Sequence, residues 1–149
     1  MSISYDMLTG SFLAKITEFE FIEIDAESRT SIIDGYMRRA VNAFKKNCKY
    51  SLHTSYDDEN RMFAIEIKDE DVDEIVDILS EGMVAQWLKT YLNRQELLES
   101  TLNTRDYTTY SPAELLRRVG EAYDRVQRNY TQMTREYSFN HGDLSVLHQ

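Results

Sequence analysis

A single proline, Pro112, stands in this chain of 149 residues, and glycine occurs only five times. Those two residue types supply most sharp reversals of a polypeptide and most interruptions of a helix. A chain so poor in them favours long, continuous helices. The length suits one domain with a sizeable buried core.

Apolar side chains recur at helical spacing in four stretches. Met7, Leu8, Phe12, Leu13 and Ile16 mark a short helix over about residues 4–16, although Gly10 weakens it. Between Ala26 and about Lys46, the residues Ile33, Tyr36, Met37, Ala40, Val41 and Phe44 form one buried stripe. A third helix opens on acids that complement its dipole and runs from "DEDVDE" to Leu92. Its stripe widens around "GMVAQWL", where Gly82 permits another helix to approach closely.

The fourth helix is announced by "SPAELL". Ser111 suits an N-cap, Pro112 suits the first helical position, and Glu114 completes a capping box. Leu115, Val119, Ala122, Val126, Asn129, Met133 and Glu136 carry it onward in steps of four and three, flanked by Tyr123, Tyr130 and Tyr137. A helix from Ser111 to about Ser138 spans roughly 40 Å. It either packs on the core along its whole length or sends its distal half toward another subunit.

The period changes to two between the second and third helices. Leu52, Thr54 and Tyr56 alternate before a polar turn at Asp58, Glu59 and Asn60, and Phe63, Ile65 and Ile67 alternate after it. This predicts one β-hairpin over about residues 51–67, which must lie on the helices or extend a neighbour's sheet. "EFEFIEID" is either extended or a kinked linker. "NRQELLESTLNTRDYTTY" reads as a short helical piece followed by a loop. The expected fold is therefore mainly α: a bundle of about four helices with a long C-terminal helix, one small hairpin and an extended C-terminal tail. Residues 1–138 form the domain and residues 139–149 the tail.

That tail, "FNHGDLSVLHQ", carries Phe139, Leu144, Val146 and Leu147, too much apolar surface for a segment that meets only water. It calls for a partner. Ten tyrosines in the chain point the same way. Five of them (Tyr107, Tyr110, Tyr123, Tyr130 and Tyr137) fall in the last third, and tyrosine gives large contact area with a polar tip.

The formal charge is −9, and its distribution says more than its size. Residues 57–81 hold eleven acids against Arg61 and Lys68, so this segment carries the entire excess. The remainder includes a basic cluster at Arg38, Arg39, Lys45, Lys46 and Lys49 and a second at Arg117, Arg118, Arg125, Arg128 and Arg135. An acidic chain is a poor general binder of nucleic acid. Complementary patches on one molecule suit copies that meet head to tail around a closed ring, and solvated helix faces with local pairing account for them equally well.

Catalytic chemistry finds no foothold. Cys48 is alone, which excludes an internal disulfide framework and a cysteine-rich zinc site, and reads as a reduced, partly buried thiol. His53, His141 and His148 are too dispersed for a metal site. "DEDVDE" starts like a calcium loop but places Glu74 and Ser80 where glycine and glutamate are required. No nucleophile motif or phosphate-binding glycine loop is present. "NYT" at 129–131 falls in mid-helix and is a chance match to a glycosylation acceptor. No apolar run approaches the roughly 20 residues that cross a bilayer, and no signal pattern opens the chain. The expectation is a soluble protein made in a cytoplasm, with no catalytic residue, cofactor or metal.

Three stretches in combination, "DEDVDEIVDILSEGMVAQWLKTYLNRQELLE", "LNTRDYTTYSPAELLRRV" and "YSFNHGDL", resemble the head-tail adaptor (connector) proteins of tailed bacteriophages. The resemblance covers about the C-terminal half. One position departs from it: Thr90 follows Lys89 where a proline is expected. The resemblance implies a structural virion protein of the neck that forms a ring, typically a dodecamer, beneath the portal. Such a ring extends the DNA channel and joins head to tail, with the portal protein on one side and a tail or stopper protein on the other. DNA is then only passing cargo in an acidic channel, and no membrane is involved. Tyr137, Phe139, His141, Leu144, Val146 and Leu147 become the residues that meet the portal. Arg38, Arg39, Lys45, Lys46, Arg117 and Arg118 face Asp69, Asp71 and Asp73 of a neighbouring subunit. A competing reading is an acidic decoy that mimics DNA phosphates along residues 57–81 and inhibits a DNA-binding enzyme.

Overall fold

A computed structural model describes residues 1–17, 19, 29–93 and 112–141. Four helices dominate these residues: α1 (Tyr5–Ile16), α2 (Arg29–Phe44), α3 (Asp69–Asn93) and α4 (Pro112–His141). A two-stranded antiparallel hairpin, β1 (Tyr56–Asp57) and β2 (Met62–Phe63), lies between α2 and α3. The mainly helical bundle expected from the sequence is the fold observed. "EFEFIEID", apart from Phe19, the piece at residues 94–110 and the Ser111 cap lie outside the described residues, as do Leu144, Val146 and Leu147.

Helix α3 is the axis of the bundle, and α1, α2 and α4 all pack against it. Its apolar residues extend around most of its circumference from Ile78 to Leu88, as a helix enclosed by three others requires. Gly82 sits where α2 and α4 converge on it. A Cβ there would stand 3.1 Å from the Tyr130 ring and 3.2 Å from the Ala40 methyl, so the missing side chain sets the spacing of three helices. The residues predicted for the α2 stripe, from Ile33 to Phe44, are all buried. Trp87 is the largest buried side chain and meets Phe12, Phe19 and Tyr91 edge-on, at centroid distances of 6.1, 5.7 and 5.9 Å. Thr90, in the place of the expected proline, lets α3 run on to Asn93. Its hydroxyl donates to the Gln86 carbonyl at 3.0 Å.

The hairpin is shorter than the sequence suggests. Leu52–Thr54 forms a turn of 3-10 helix rather than strand, with Leu52 turned into the core. The strands pair only Tyr56 with Phe63 and Asp57 with Met62. Its missing partner is the chain's own N-terminal segment: Phe63 N–H donates to Ile3 O, Tyr5 N–H to Arg61 O and Ile67 N–H to Met1 O. Arg61 adopts a positive φ of 52° to close the turn, and its guanidinium grips both oxygens of Asp34 at 2.8 and 3.1 Å. These contacts tie the hairpin to α1 and α2, so it needs no neighbour's sheet.

Inside the bundle, α1 is fastened to α3 by a polar knot. Lys15 Nζ donates to Glu81 Oε2 at 3.0 Å and to Asp77 Oδ1 at 2.7 Å, while Asn129 Nδ2 reaches Glu81 Oε1 at 3.2 Å. Glu81 is buried, and Lys15 pairs with it. Removing that cation leaves a carboxylate shielded from water with a single weak donor, which costs more than losing an exposed pair. Lys15→Met is expected to destabilise the fold by about 2–3 kcal/mol in urea titrations, with Lys15→Met/Glu81→Gln recovering much of the loss. A neutral Lys15→Met would show that the pair is structurally idle.

Helix α4 packs along its length, burying Val119, Ala122, Val126, Tyr130 and Tyr137. The predicted seam needs correction beyond Val126, because Asn129 and Glu136 are exposed. Steps of four and three average 3.5 residues, whereas a straight helix turns every 3.6, so the inward face drifts along the chain. Val119 and Tyr137 are 18 residues apart, close to five whole turns, and both are fully buried. The helix also continues past Ser138 to His141, so Phe139 and His141 belong to its last turn and not to an extended tail.

Candidate partner-binding surface

The C-terminal end of α4 gathers the residues that the sequence singled out around position 139, and it sorts them differently. Tyr137 is fully buried. Its ring meets Phe44 at 5.1 Å, its hydroxyl accepts from Lys49 N–H at 3.1 Å, and His141 lies against its other side at 4.5 Å. Tyr137 therefore offers no surface to a partner in this fold, which corrects the role given it above. Its position on the inward face after five turns is the reason. Phe139 points the other way and is 67% exposed, the largest exposure among the described bulky apolar side chains.

His141 fastens the last turn of α4 to the first turns of α3. Its Nε2 stands 3.2 Å from Glu74 Oε2 and 3.8 Å from Asp71 Oδ1. Asp71 is 2% exposed and accepts a 2.6 Å hydrogen bond from Tyr50 Oη. It is a structural acid and not a surface one, a second correction. The pattern held the clue: Asp71, Ile75 and Ile78 share the inward face of α3 at steps of four and three.

The remaining charges were expected to meet a neighbouring subunit, and several are occupied within the chain. Arg38 pairs with Asp58 and lies 4.3 Å from the Tyr56 ring centroid. Arg117 contacts Glu121 at 2.8 Å and Glu114 at 3.6 Å, and Arg118 lies 3.7 Å from Glu114. Asp69 faces the N-terminal amine at 3.5 Å. The pairs of Arg117 and Arg118 are the local kind that helix spacing produces, whereas those of Arg38 and Asp69 are made by the fold. Arg39, Lys45, Lys46 and Asp73 remain exposed and enter no ion pair among the described residues.

Beside this end of α4 runs an open groove of about 1070 Å³ between the C-terminal parts of α2 and α4. Lys46, Lys49 and Arg135 line it, with Phe139 and His141 at one end and Cys48 in the wall. Burial raises the Cys48 thiol above its ordinary range, which keeps it protonated near neutrality and unlike a reactive thiolate. Among the described residues no group of histidine, cysteine or acidic side chains is arranged to hold a metal ion. No described helix is long and apolar enough to cross a membrane.

Several tyrosines here and at the hairpin resist ionisation. Burial, then the hydrogen bond to Asp58, pushes the Tyr5 hydroxyl up to about 12, and burial also raises Tyr50, Tyr130 and Tyr137. In the unfolded chain these groups ionise near 10. Above that pH the folded state holds more protons than the unfolded one, so stability is complete below about pH 10 and declines as pH climbs toward 12 and beyond. Tyrosinate absorbance is expected to rise together with loss of helical circular dichroism. Free titration of all ten tyrosines near 10 with the helices intact would contradict this burial.

In comparisons with known proteins, no family model, curated protein or solved structure matches the chain.

Proposed function

We propose that this chain is a structural part of the neck of a tailed bacteriophage: a ring-forming adaptor that sits beneath the portal, continues the DNA channel and joins head to tail. The observation that carries the reading is Phe139. It is the most exposed bulky apolar side chain described, it sits on the last turn of a rigid 30-residue helix, and the apolar segment Leu144, Val146 and Leu147 follows directly. A rigid helix presenting such a residue at its end supplies an anchor for another protein, and a following apolar segment extends the contact.

The decoy reading draws no comparable support. Many acids of residues 57–81 are held within the chain: Asp58 by Arg38 and Tyr5, Asp71 by Tyr50, Glu74 by His141, and Asp77 and Glu81 by Lys15. An acid engaged by its own fold is a weak imitation of a phosphate row.

The test is binding to purified portal rings, read by co-sedimentation and negative-stain imaging. Phe139→Asp and deletion of residues 142–149, which spares the contact of His141 with Glu74, are each expected to abolish attachment while the melting temperature changes little, because Phe139 is mostly exposed. Full-length chain that ignores the portal, or variants that bind as well as wild type, would overturn the proposal.

A further inference from the structure

The groove between α2 and α4 has cations on both walls and apolar residues in its lining. Lys46 and Lys49 come from the end of α2 and the turn after it, and Arg135 comes from α4. Lys46 and Arg135 are exposed and enter no ion pair among the described residues. Arg128, about two turns before Arg135, shares a shallow depression with it and is likewise unpaired among the described residues. Glu136 is the acid among the groove's lining residues, and Gln132 Nε2 donates to its carboxylate at 3.1 Å. Ala43, Cys48 and Tyr130 supply apolar lining, and Phe139 lies at one end, so the groove and the exposed ring form one continuous surface.

Unpaired cations beside apolar surface complement an acidic chain that also carries an apolar side chain. The α4 wall from Tyr130 to His141 runs roughly 17 Å, enough to flank about five residues of extended chain. Duplex DNA fits less well. It gains affinity from many phosphate contacts, whereas Lys46, Lys49 and Arg135 share this groove with Glu136, and the chain carries a formal charge of −9. We infer that the groove receives a short acidic segment of the protein that Phe139 contacts, with carboxylates on Lys46, Lys49 and Arg135 and an apolar side chain against Phe139. Under the adaptor reading, on which this rests, that protein is the portal. The contact then has two halves, an apolar anchor and a salt-sensitive groove.

Binding of the full-length chain to immobilised portal rings over a range of sodium chloride concentrations tests this with wild type, Lys46→Glu/Arg135→Glu and Lys68→Glu/Lys89→Glu. The last carries the same change in net charge on exposed lysines outside the groove. Wild-type attachment is expected to weaken with salt. The groove variant should raise the dissociation constant at least about 100-fold and lose most of the salt dependence, while the control stays within about threefold of wild type. Circular dichroism should show both variants folded, since every altered side chain lies on the surface. A benzophenone amino acid in place of Ala43, which is exposed in the α2 wall, should crosslink to a portal peptide rich in aspartate or glutamate. Salt-insensitive attachment of wild type, a groove variant that binds as well as wild type, or a control that loses as much as the groove variant would overturn the groove's role. So would crosslinks from position 43 that miss an acidic portal peptide and fall on DNA or on a second copy. Each of these leaves the Phe139 contact to be judged by its own variants, whereas wild type that ignores the portal removes the adaptor reading and this contact together.

Discussion

Trp87→Ala is expected to lower stability by about 3–5 kcal/mol, the range for removing a large aromatic from a packed core. For a domain whose total stability lies around 5–15 kcal/mol this is a loss near the limit of folding. Trp87 is fully buried at the place where α1 and α3 meet, and its neighbours Phe12, Phe19 and Tyr91 come from three parts of the chain. Those rings cannot all move in to fill the void, so a cavity persists and adds to the lost burial. The indole Nε1 has no hydrogen-bond partner among the described residues, so the cost arises from packing and not from a broken polar contact. Urea titration should show a lower midpoint with an unchanged slope. A change below about 1 kcal/mol would mean that Trp87 is not at the centre of the core.

Tyr137→Ala comes next, at about 3–5 kcal/mol, and it separates two pictures of the long helix. If the distal half of α4 only projected into solvent, truncating a side chain there would cost almost nothing. Here Tyr137 is enclosed by Phe44 and His141, and its loss also strands the Lys49 amide that donates to its hydroxyl. Tyr137→Phe keeps the ring and removes only the hydroxyl, which accepts from Lys49 N–H and hydrogen-bonds with the Cys48 thiol, and is expected to cost about 1–2 kcal/mol. The ratio of the two effects, read from urea midpoints, distinguishes ring packing from the hydrogen bond. Equal and negligible effects would contradict the burial of this end of the helix.

What the sequence makes legible follows the range of the forces involved. The stripe of α2, from Ile33 to Phe44, is a local pattern, and each predicted position is buried. Gly82 marks a close-approach site in the sequence because glycine carries no side chain, and Tyr130 and Ala40 do press upon it. Tyr137 was misplaced by a fraction of a turn accumulated over several turns, a drift visible only when the helix is known to be straight. Arg38, Arg117 and Arg118 were read as interface charges because clustering shows in sequence and pairing partners do not. Asp58, 20 residues from Arg38, is reached only through the fold. The hairpin's contact with the N-terminal segment is likewise non-local, since Ile3 and Phe63 are 60 positions apart. Phe139 and His141 are expected in an extended tail, and the structure carries the helix through both and separates them into an outward-facing side chain and an inward clasp.

In the proposed adaptor, the end of α4 and the residues after it find their contact on a foreign chain, the portal. A photoreactive benzophenone amino acid in place of Phe139, irradiated during particle assembly, tests this most directly. The account predicts a covalent product between this chain and the portal subunit, identified by mass spectrometry of the crosslinked peptides. Crosslinks confined to this chain's own residues, or none in assembled particles, would contradict it.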